Sequence, residues 1–310
     1  MINSKKFMRI ISFMMGLLIL ILTFSAILKK GGNVYDAAAV ENKINEIVKE
    51  KSDSMDVLFL GDSECYSSFS PLLMWSEHGY TSFVCATSAQ RLCDTYAILR
   101  NAFKTQSPKL VVLETNCIYR NQEQVNNGDK VMNYLVKKVP VFKNHSKWKH
   151  FSLKLINNRD VKKNGNQKGF KLRTAVKPYM GGEYMHKTDE VKDIPELSKK
   201  YLDKITELCK QNGAELILVS SLSPKNWNYE KHNGVEKWAA VHNIDYLDMN
   251  LVNNSIGIDW TRDTKDGGDH LNYEGAKKVT YYIGDYFKEN YFLEDHREES
   301  DNFTWKNADK

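Results

Sequence analysis

The 310-residue chain is predicted to fold as an α/β protein with a parallel sheet covered by helices on both faces, preceded by one transmembrane helix. Short apolar runs alternate with segments of helical spacing, and a long apolar stretch lies near the N-terminus. The composition, 42% hydrophobic and 27% charged, is that of a globular chain.

Apolar runs typical of buried strands alternate with amphipathic helical patterns along most of the chain. The predicted strands cover residues 55–60, 82–86, 109–113, 215–220 and 244–247. The predicted helices between and after them cover residues 94–104, 194–212, 235–242 and 275–286. This alternation indicates a parallel sheet. Functional residues are expected beyond the carboxyl ends of its strands, where Ser63, Thr87, Ser88 and Asn116 fall.

Residues 10–28 are almost all apolar and would span ~30 Å as a helix, enough for one membrane crossing. Basic residues flank this stretch on both sides, and their count together with the amino terminus favours a cytoplasmic N-terminus. A cleaved signal peptide is the alternative. The run is long for a signal peptide, however, and the small residues Ala37 to Ala39 lie beyond the flanking lysines.

The expected organisation places one large domain after the anchor. Residues 1–9 form a cytoplasmic tail, 10–28 the anchor, 29–54 a helical stalk, 55–290 the α/β domain and 291–310 a polar tail. This tail is expected to fray from Glu294 onward. Residues 121–193 break the strand and helix rhythm and are interpreted as an insertion. Within it, residues 137–177 contain thirteen Lys or Arg and one acid, Asp160. Such a segment is suited either to a polyanion or negatively charged membrane, or to a solvated surface.

Nothing in the sequence indicates a metal, a cofactor or nucleic acid. The five cysteines include no CxxC pair, and Cys85 and Cys117 are interpreted as small core residues. The spacing of the aspartates at 259, 263, 266 and 269 does not match a calcium-binding EF-hand loop. No nucleic-acid-binding module is recognisable either.

A serine early in the chain and a histidine near its end have the residue types needed for acyl transfer through an activated hydroxyl. Ser63 follows the first predicted strand within Gly-Asp-Ser-Glu, and His270 lies in a glycine-containing turn before the last helix. A carboxylate must hold the imidazole in the correct tautomer. Asp266 is the candidate for this carboxylate, and Asp269 is the alternative. Asp269 directly precedes His270 in the chain, so its side chain reaches the ring less easily.

With these motifs, Gly61 to Glu64 and Asp266 to Asn272, the chain resembles the SGNH/GDSL hydrolase superfamily. Within that superfamily it resembles the membrane-anchored bacterial branch that includes the D-alanyl transfer protein of teichoic-acid modification and polysaccharide O-acetyltransferases. The resemblance covers about two thirds of the chain. It implies a three-layer, flavodoxin-like sheet, with Ser63 as nucleophile and His270 as base.

Three features depart from the family pattern. The family usually has Asp-x-x-His, whereas Asp266 lies four residues before His270. The second block, residues 85–90, lacks its glycine, and the third is reduced to Glu114-Thr-Asn116. The oxyanion hole is therefore expected to use the Ser63 N–H, a backbone N–H near Ser88 and the Asn116 amide.

These features predict an extracytoplasmic acyltransferase or esterase, attached to the cell membrane by a single pass. It would act on acetyl or D-alanyl groups of a cell-surface polysaccharide or teichoic-acid-like polymer. The expected partners are that glycan or anionic polymer and a membrane-bound O-acyltransferase that supplies acyl groups. The alternative is a non-catalytic binding component of a surface-polymer modification or assembly complex.

Overall fold

A computed structural model of the chain describes Met8, residues 12–20, 37–120 and 167–298, and Trp305. The chain divides into two compact units, one of residues 37–122 with 161–310 and one of residues 1–36 with 123–160. In the second unit, residues 12–20 are helical with exposed side chains. None of the described helices has both the length and the apolar composition that a bilayer crossing requires. The rest of the predicted anchor, and residues 121–166 of the predicted insertion, lie outside the described residues.

The larger unit is built on a five-stranded parallel sheet with the strand order β2-β1-β3-β4-β5. Its strands are β1 (Val57–Gly61), β2 (Ser82–Ala86), β3 (Leu110–Glu114), β4 (Glu215–Ser220) and β5 (Asp245–Asp248). The bounds of β2 and β4 are those predicted from the sequence. Strand β1 pairs with β2 on one side and with β3, the central strand, on the other, as the register of Leu60 with Cys85 and Leu113 shows.

Helices connect the strands. The helices before β3 are α1 (Ala37–Val48), α2 (Ser63–Ser68), α3 (Pro71–His78) and α4 (Leu92–Ala102). A 3₁₀ helix, Thr115–Tyr119, follows β3 directly. The later helices are α5 (Glu196–Gln211), α6 (Tyr229–His242), α7 (Asn253–Ile256) and α8 (Tyr273–Asn290).

Alternate side chains of each strand enter two separate hydrophobic cores, one on each face of the sheet. On β1, Leu58 and Leu60 point to the core covered by α1, α4, α5 and α6. Val57 and Phe59 point to the core covered by α2, α3, α7 and α8, where Phe59 stacks on Phe69 at 4.6 Å. The predicted parallel α/β architecture with helices on both faces is therefore confirmed.

The helix α1 is part of this domain and does not form the predicted stalk. Ile47 is fully buried in the core that α4 and α5 share, and Ile44 packs against the same core. The amphipathic pattern of α1 correctly indicated a helix. It could not indicate that the apolar side of that helix covers the sheet.

The described part of the predicted polar tail also packs on the domain. The His296 N–H donates to the Gly79 carbonyl at 3.0 Å, and its ring nitrogen lies 2.8 Å from Asp56. Trp305 is buried and stacks on Trp75. The frayed tail expected from polarity is wrong for these residues, because charged side chains here pair with partners that are distant in sequence.

Substituting Ile47 tests whether α1 belongs to the domain. Ile47→Ala should lower the free energy of unfolding by about 2–4 kcal/mol, because it opens a cavity in a closed core. Val48→Ala is the matched control: Val48 is 38% exposed, so its loss should cost less than about 0.5 kcal/mol. Urea denaturation of both variants measures the difference, and equal effects would contradict the assignment.

Candidate active site

The strand order places the switch point of the sheet at the carboxyl ends of β1 and β3, and this region is called the crevice below. The chain leaves β1 toward β2 on one side and later returns to form β3 on the other side. In a parallel sheet of this order, ligands bind at this switch of direction. The segment after β1 carries Ser63, and the segment after β3 carries Asn116.

Gly61 and Asp62 set the position of the turn after β1. A Cβ atom on Gly61 would lie 2.7 Å from Glu114 Cβ and 2.9 Å from Cys65 Cβ, so no larger residue fits. Asp62 is fully buried and caps α2 by accepting the Glu64 N–H at 3.0 Å. Its carboxylate also accepts from Asn116 Nδ2 at 3.0 Å and from Arg120. Asp62 therefore links the turn after β1 to the segment after β3.

Ser63 is the first residue of α2 and is half-buried. Among the described residues, its hydroxyl makes no hydrogen bond, either to His270 or to any other group. The hydroxyl is thus placed at the crevice without a structural role that would occupy it.

His270 is held by Asp266 through two hydrogen bonds. Asp266 Oδ2 lies 2.7 Å from His270 Nδ1, and Asp266 Oδ1 accepts the His270 N–H at 2.7 Å. Burial alone would raise the pKa of Asp266, but the hydrogen bonds and charge of His270, together with Lys265, lower it below its ordinary value. When the ring is neutral, its hydrogen bond to the ionised Asp266 keeps the ring proton on Nδ1. Nε2 is then an acceptor; it is buried and has no partner in the described part of the chain.

Asp269, the alternative partner, has a different role. Its Oδ2 lies 3.6 Å from His270 Nδ1, beyond hydrogen-bond distance. Its Oδ1 instead accepts from Asn226 Nδ2 at 2.6 Å. The structure therefore pairs His270 with Asp266.

Glu64 connects the Ser63 turn to the His270 loop. One ligand-type atom from each of Glu64, Asp269 and His270 lies within 4.8 Å of the others. These residue types could hold a divalent ion, but Asn226 already donates to both carboxyl groups. We assign no metal to this group. The short distances show that the residue next to Ser63 meets the loop that carries His270.

The other predicted oxyanion residues lie in two different settings. Ser88 is in a turn after β2, with its Oγ 2.9 Å from the Tyr66 hydroxyl, and the next residue, Ala89, has a left-handed backbone with φ +52°. Glycine is favoured in that conformation, and Ala89 occupies it in this chain. Asn116 is buried and donates from Nδ2 to Asp62, which leaves one amide proton for another acceptor.

Two buried glutamates at this edge have raised pKa values. Burial, followed by the charges of Asp62, Glu114 and Asp269, raises the pKa of Glu64 well above its ordinary value, although a hydrogen bond from Asn226 opposes the shift. Burial and the charge of Asp62 likewise raise the pKa of Glu114. Perturbed carboxyl groups of this kind are concentrated at functional sites.

Three further residues of this site, Arg120, Ser223 and Asn226, are not among those predicted from the sequence. Ser223 and Asn226 follow β4, so the rule that polar residues collect beyond the carboxyl ends of strands, applied to the first three strands, would also have found them. Arg120 gives no such signal, because its partner Asp62 is 58 residues away.

Comparisons with known proteins give low similarity. No protein-family model and no curated protein matches the chain. A GDSL-like lipase from Bacteroides thetaiotaomicron is 14% identical, with a TM-score of 0.41, covering 81% of this chain and 98% of its own. The structure of a proposed acylhydrolase from Bacteroides fragilis is 12% identical, with a TM-score of 0.43, covering 83% of this chain and 99% of its own. That of a lipase/acylhydrolase from Enterococcus faecalis is 10% identical, with a TM-score of 0.41, covering 77% of this chain and 98% of its own. At these values the likenesses assign neither a family nor an activity.

The raised pKa of Glu64 predicts a pH-dependent stability. A carboxyl group that binds its proton more tightly in the folded state stabilises the fold below its unfolded pKa, and this contribution is lost as pH rises toward the folded pKa. The stability of Glu64→Gln relative to wild type should therefore increase above about pH 4.5, by about 1.4 kcal/mol for each unit of pKa shift. Urea denaturation between pH 5 and 8 measures this. A stability difference between Glu64→Gln and wild type that stays constant over this pH range would contradict the prediction.

Proposed function

We propose that this chain is a serine-dependent esterase or O-acyltransferase of the SGNH/GDSL type. The observation that carries the proposal is the state of His270: Nδ1 is bound to Asp266, while Nε2 is buried and without a partner among the described residues. An imidazole in this tautomer is prepared to accept a proton. The unbound Ser63 hydroxyl lies at the same sheet edge and is the candidate donor.

In the proposed reaction, Ser63 Oγ attacks an ester or thioester carbonyl while His270 Nε2 takes the hydroxyl proton. Asp266 keeps the ring oriented and stabilises the imidazolium that forms. Ser63 and His270 must come within hydrogen-bond distance when substrate binds, and catalytic hydrogen bonds often tighten at that stage. The tetrahedral intermediate then breaks its bond to the leaving group, which takes the proton from His270 and departs as the alcohol or thiol, and the acyl group stays on Ser63 Oγ.

Three donors are proposed to stabilise the negative oxygen of the tetrahedral intermediate. These are the Ser63 N–H, an N–H near Ser88 and the amide proton of Asn116 that Asp62 does not take. Each such donor contributes ~3 kcal/mol to transition-state stabilisation. The second substrate decides the reaction: water gives an esterase, and a sugar or polyol hydroxyl gives a transferase.

The proposed location and substrate rest on the sequence. The apolar residues 10–28 support a single-pass anchor with the domain outside the cell, and the basic residues 137–177 support an anionic surface polymer or glycan as substrate. A membrane-bound O-acyltransferase is the proposed partner that supplies acyl groups. A chain with one membrane crossing has no route of its own to acyl donors in the cytoplasm.

A non-catalytic binding role is the second candidate. It is supported by the lack of a hydrogen bond between Ser63 and His270 in the described structure. Covalent labelling without turnover on any tested ester would favour it.

Substituting the proposed nucleophile tests the enzyme hypothesis. Ser63→Ala should lose labelling by a fluorophosphonate and about 10⁴-fold or more of the ester turnover, with an unchanged melting temperature. Mass spectrometry should locate the label of the wild-type chain on Ser63. Ser76→Ala is the control, because Ser76 lies on α3 and its hydroxyl, the group removed, bonds only the Leu73 carbonyl among the described groups. Retained turnover in Ser63→Ala would exclude the proposed mechanism.

Reversing charges in the basic segment tests the proposed polyanion contact. A variant with four lysines changed to glutamate should elute from a heparin resin at lower salt than the wild type. The four positions are Lys143, Lys147, Lys149 and Lys154. A control with the same change of charge uses four exposed helical lysines of the domain: Lys200, Lys204, Lys210 and Lys237. Equal elution shifts for the two variants would show that the segment has no special role.

A further inference from the structure

The loop after β4 lies between the Ser63 turn and the His270 loop and contacts both. Ser223 is buried, and its Oγ lies 3.1 Å from Glu64 Oε1, 2.8 Å from the Asp269 carbonyl and 3.3 Å from the Gly268 carbonyl. In one direction it reaches the residue next to the proposed nucleophile. In the other it reaches Gly268 and Asp269, the two residues before the proposed base His270.

Asn226 makes the same connection through its side-chain amide. Nδ2 lies 2.6 Å from Glu64 Oε1, 2.6 Å from Asp269 Oδ1 and 3.1 Å from Ser223 Oγ. An amide NH₂ has two protons, so it can donate to both carboxyl groups at once. A neutral double donor suits this place, because two carboxyl groups brought together in a buried site repel unless a donor or a proton lies between them.

The loop is itself held in place, which allows it to fix its neighbours. The Ser223 N–H donates to Asn250 Oδ1 at 3.1 Å, and the Trp227 indole N–H donates to Asp248 Oδ2 at 2.8 Å. Lys225 adds a contact to the His270 loop, because its N–H donates to the Gly268 carbonyl at 3.2 Å. Ser223 and Asn226, together called the bridge, therefore lie in a loop that is anchored to the end of β5.

We infer that Ser223 and Asn226 are positioning residues, which set the separation of Ser63 and His270 by holding Glu64 and Asp269. This inference rests on the proposed function. Neither residue contacts His270 or Ser63 by a hydrogen bond in the described structure, so each acts through a neighbour. A displacement of about 1 Å between reacting groups can cost about 10²-fold in rate, which makes such a bridge consequential.

Asn226→Ala removes the double donor, and Asn228→Ala is its matched control. Asn228 lies two residues further along the same loop and caps α6 by accepting the Lys231 N–H. Its loss weakens the helix end but leaves the bridge intact. If Asn226→Ala does not fold, Ser223→Ala tests the same bridge from its other member.

The experiment combines hydrogen exchange of residues 264–271 with the rate of fluorophosphonate labelling at Ser63. The Gly268 and His270 N–H groups are bonded within this loop, to Thr264 and Asp266. In Asn226→Ala, exchange in the loop should be about tenfold faster, as expected when a hydrogen bond to a carboxyl group is lost. Labelling should be about 10²-fold slower. Asn228→Ala should change neither rate, whatever its melting temperature.

The outcomes separate this inference from the proposed function. Unchanged exchange and labelling in Asn226→Ala would overturn the inference, and so would faster exchange with unchanged labelling. A wild-type chain that the phosphonate does not label would instead overturn the proposed function. In that case the exchange comparison would still decide whether Asn226 holds the His270 loop.

Discussion

The buried carboxylate of Asp62 is the contact on which the arrangement of the crevice depends. A charge removed from water must be paired and hydrogen-bonded, and Asp62 meets this requirement with three donors from two segments. The Glu64 N–H belongs to the turn after β1, whereas Asn116 and Arg120 belong to the segment after β3. Satisfying one buried charge therefore fixes the ends of two neighbouring strands relative to each other, and with them Ser63 and Asn116.

The acids around the crevice divide into two kinds according to their partners. Asp266 receives two hydrogen bonds from His270, and its pKa is lowered, so its charge stays beside the imidazole. Glu64 and Glu114 have buried oxygens without partners among the described residues, and their pKa values are raised. Environments that push apart the pKa values of neighbouring carboxyl groups give them separate roles. Here negative charge is kept where a developing imidazolium would need it.

Local patterns predicted the secondary structure better than they predicted its packing. The strands Ser82–Ala86 and Glu215–Ser220 have the predicted bounds, because apolar runs between turn residues directly report burial. The helix Ala37–Val48 was expected in a stalk, and residues from Glu294 onward were expected to fray, yet the helix and the described residues 294–298 pack on the domain. Amphipathicity shows that a helix has a face to bury, but it does not show which surface will cover that face.

The sequence by itself determined the α/β class, the alternation that builds the sheet, and Ser63 and His270 as candidates, since each depends on residues close together in the chain. Only the tertiary structure decided that Asp266 rather than Asp269 bonds the imidazole, and that Ser223 and Asn226 join Glu64 to the His270 loop. Glu64 and Asn226 are 162 residues apart. Contacts between residues so far apart in sequence form when the sheet brings the ends of its strands to one edge. A local sequence pattern therefore cannot predict them.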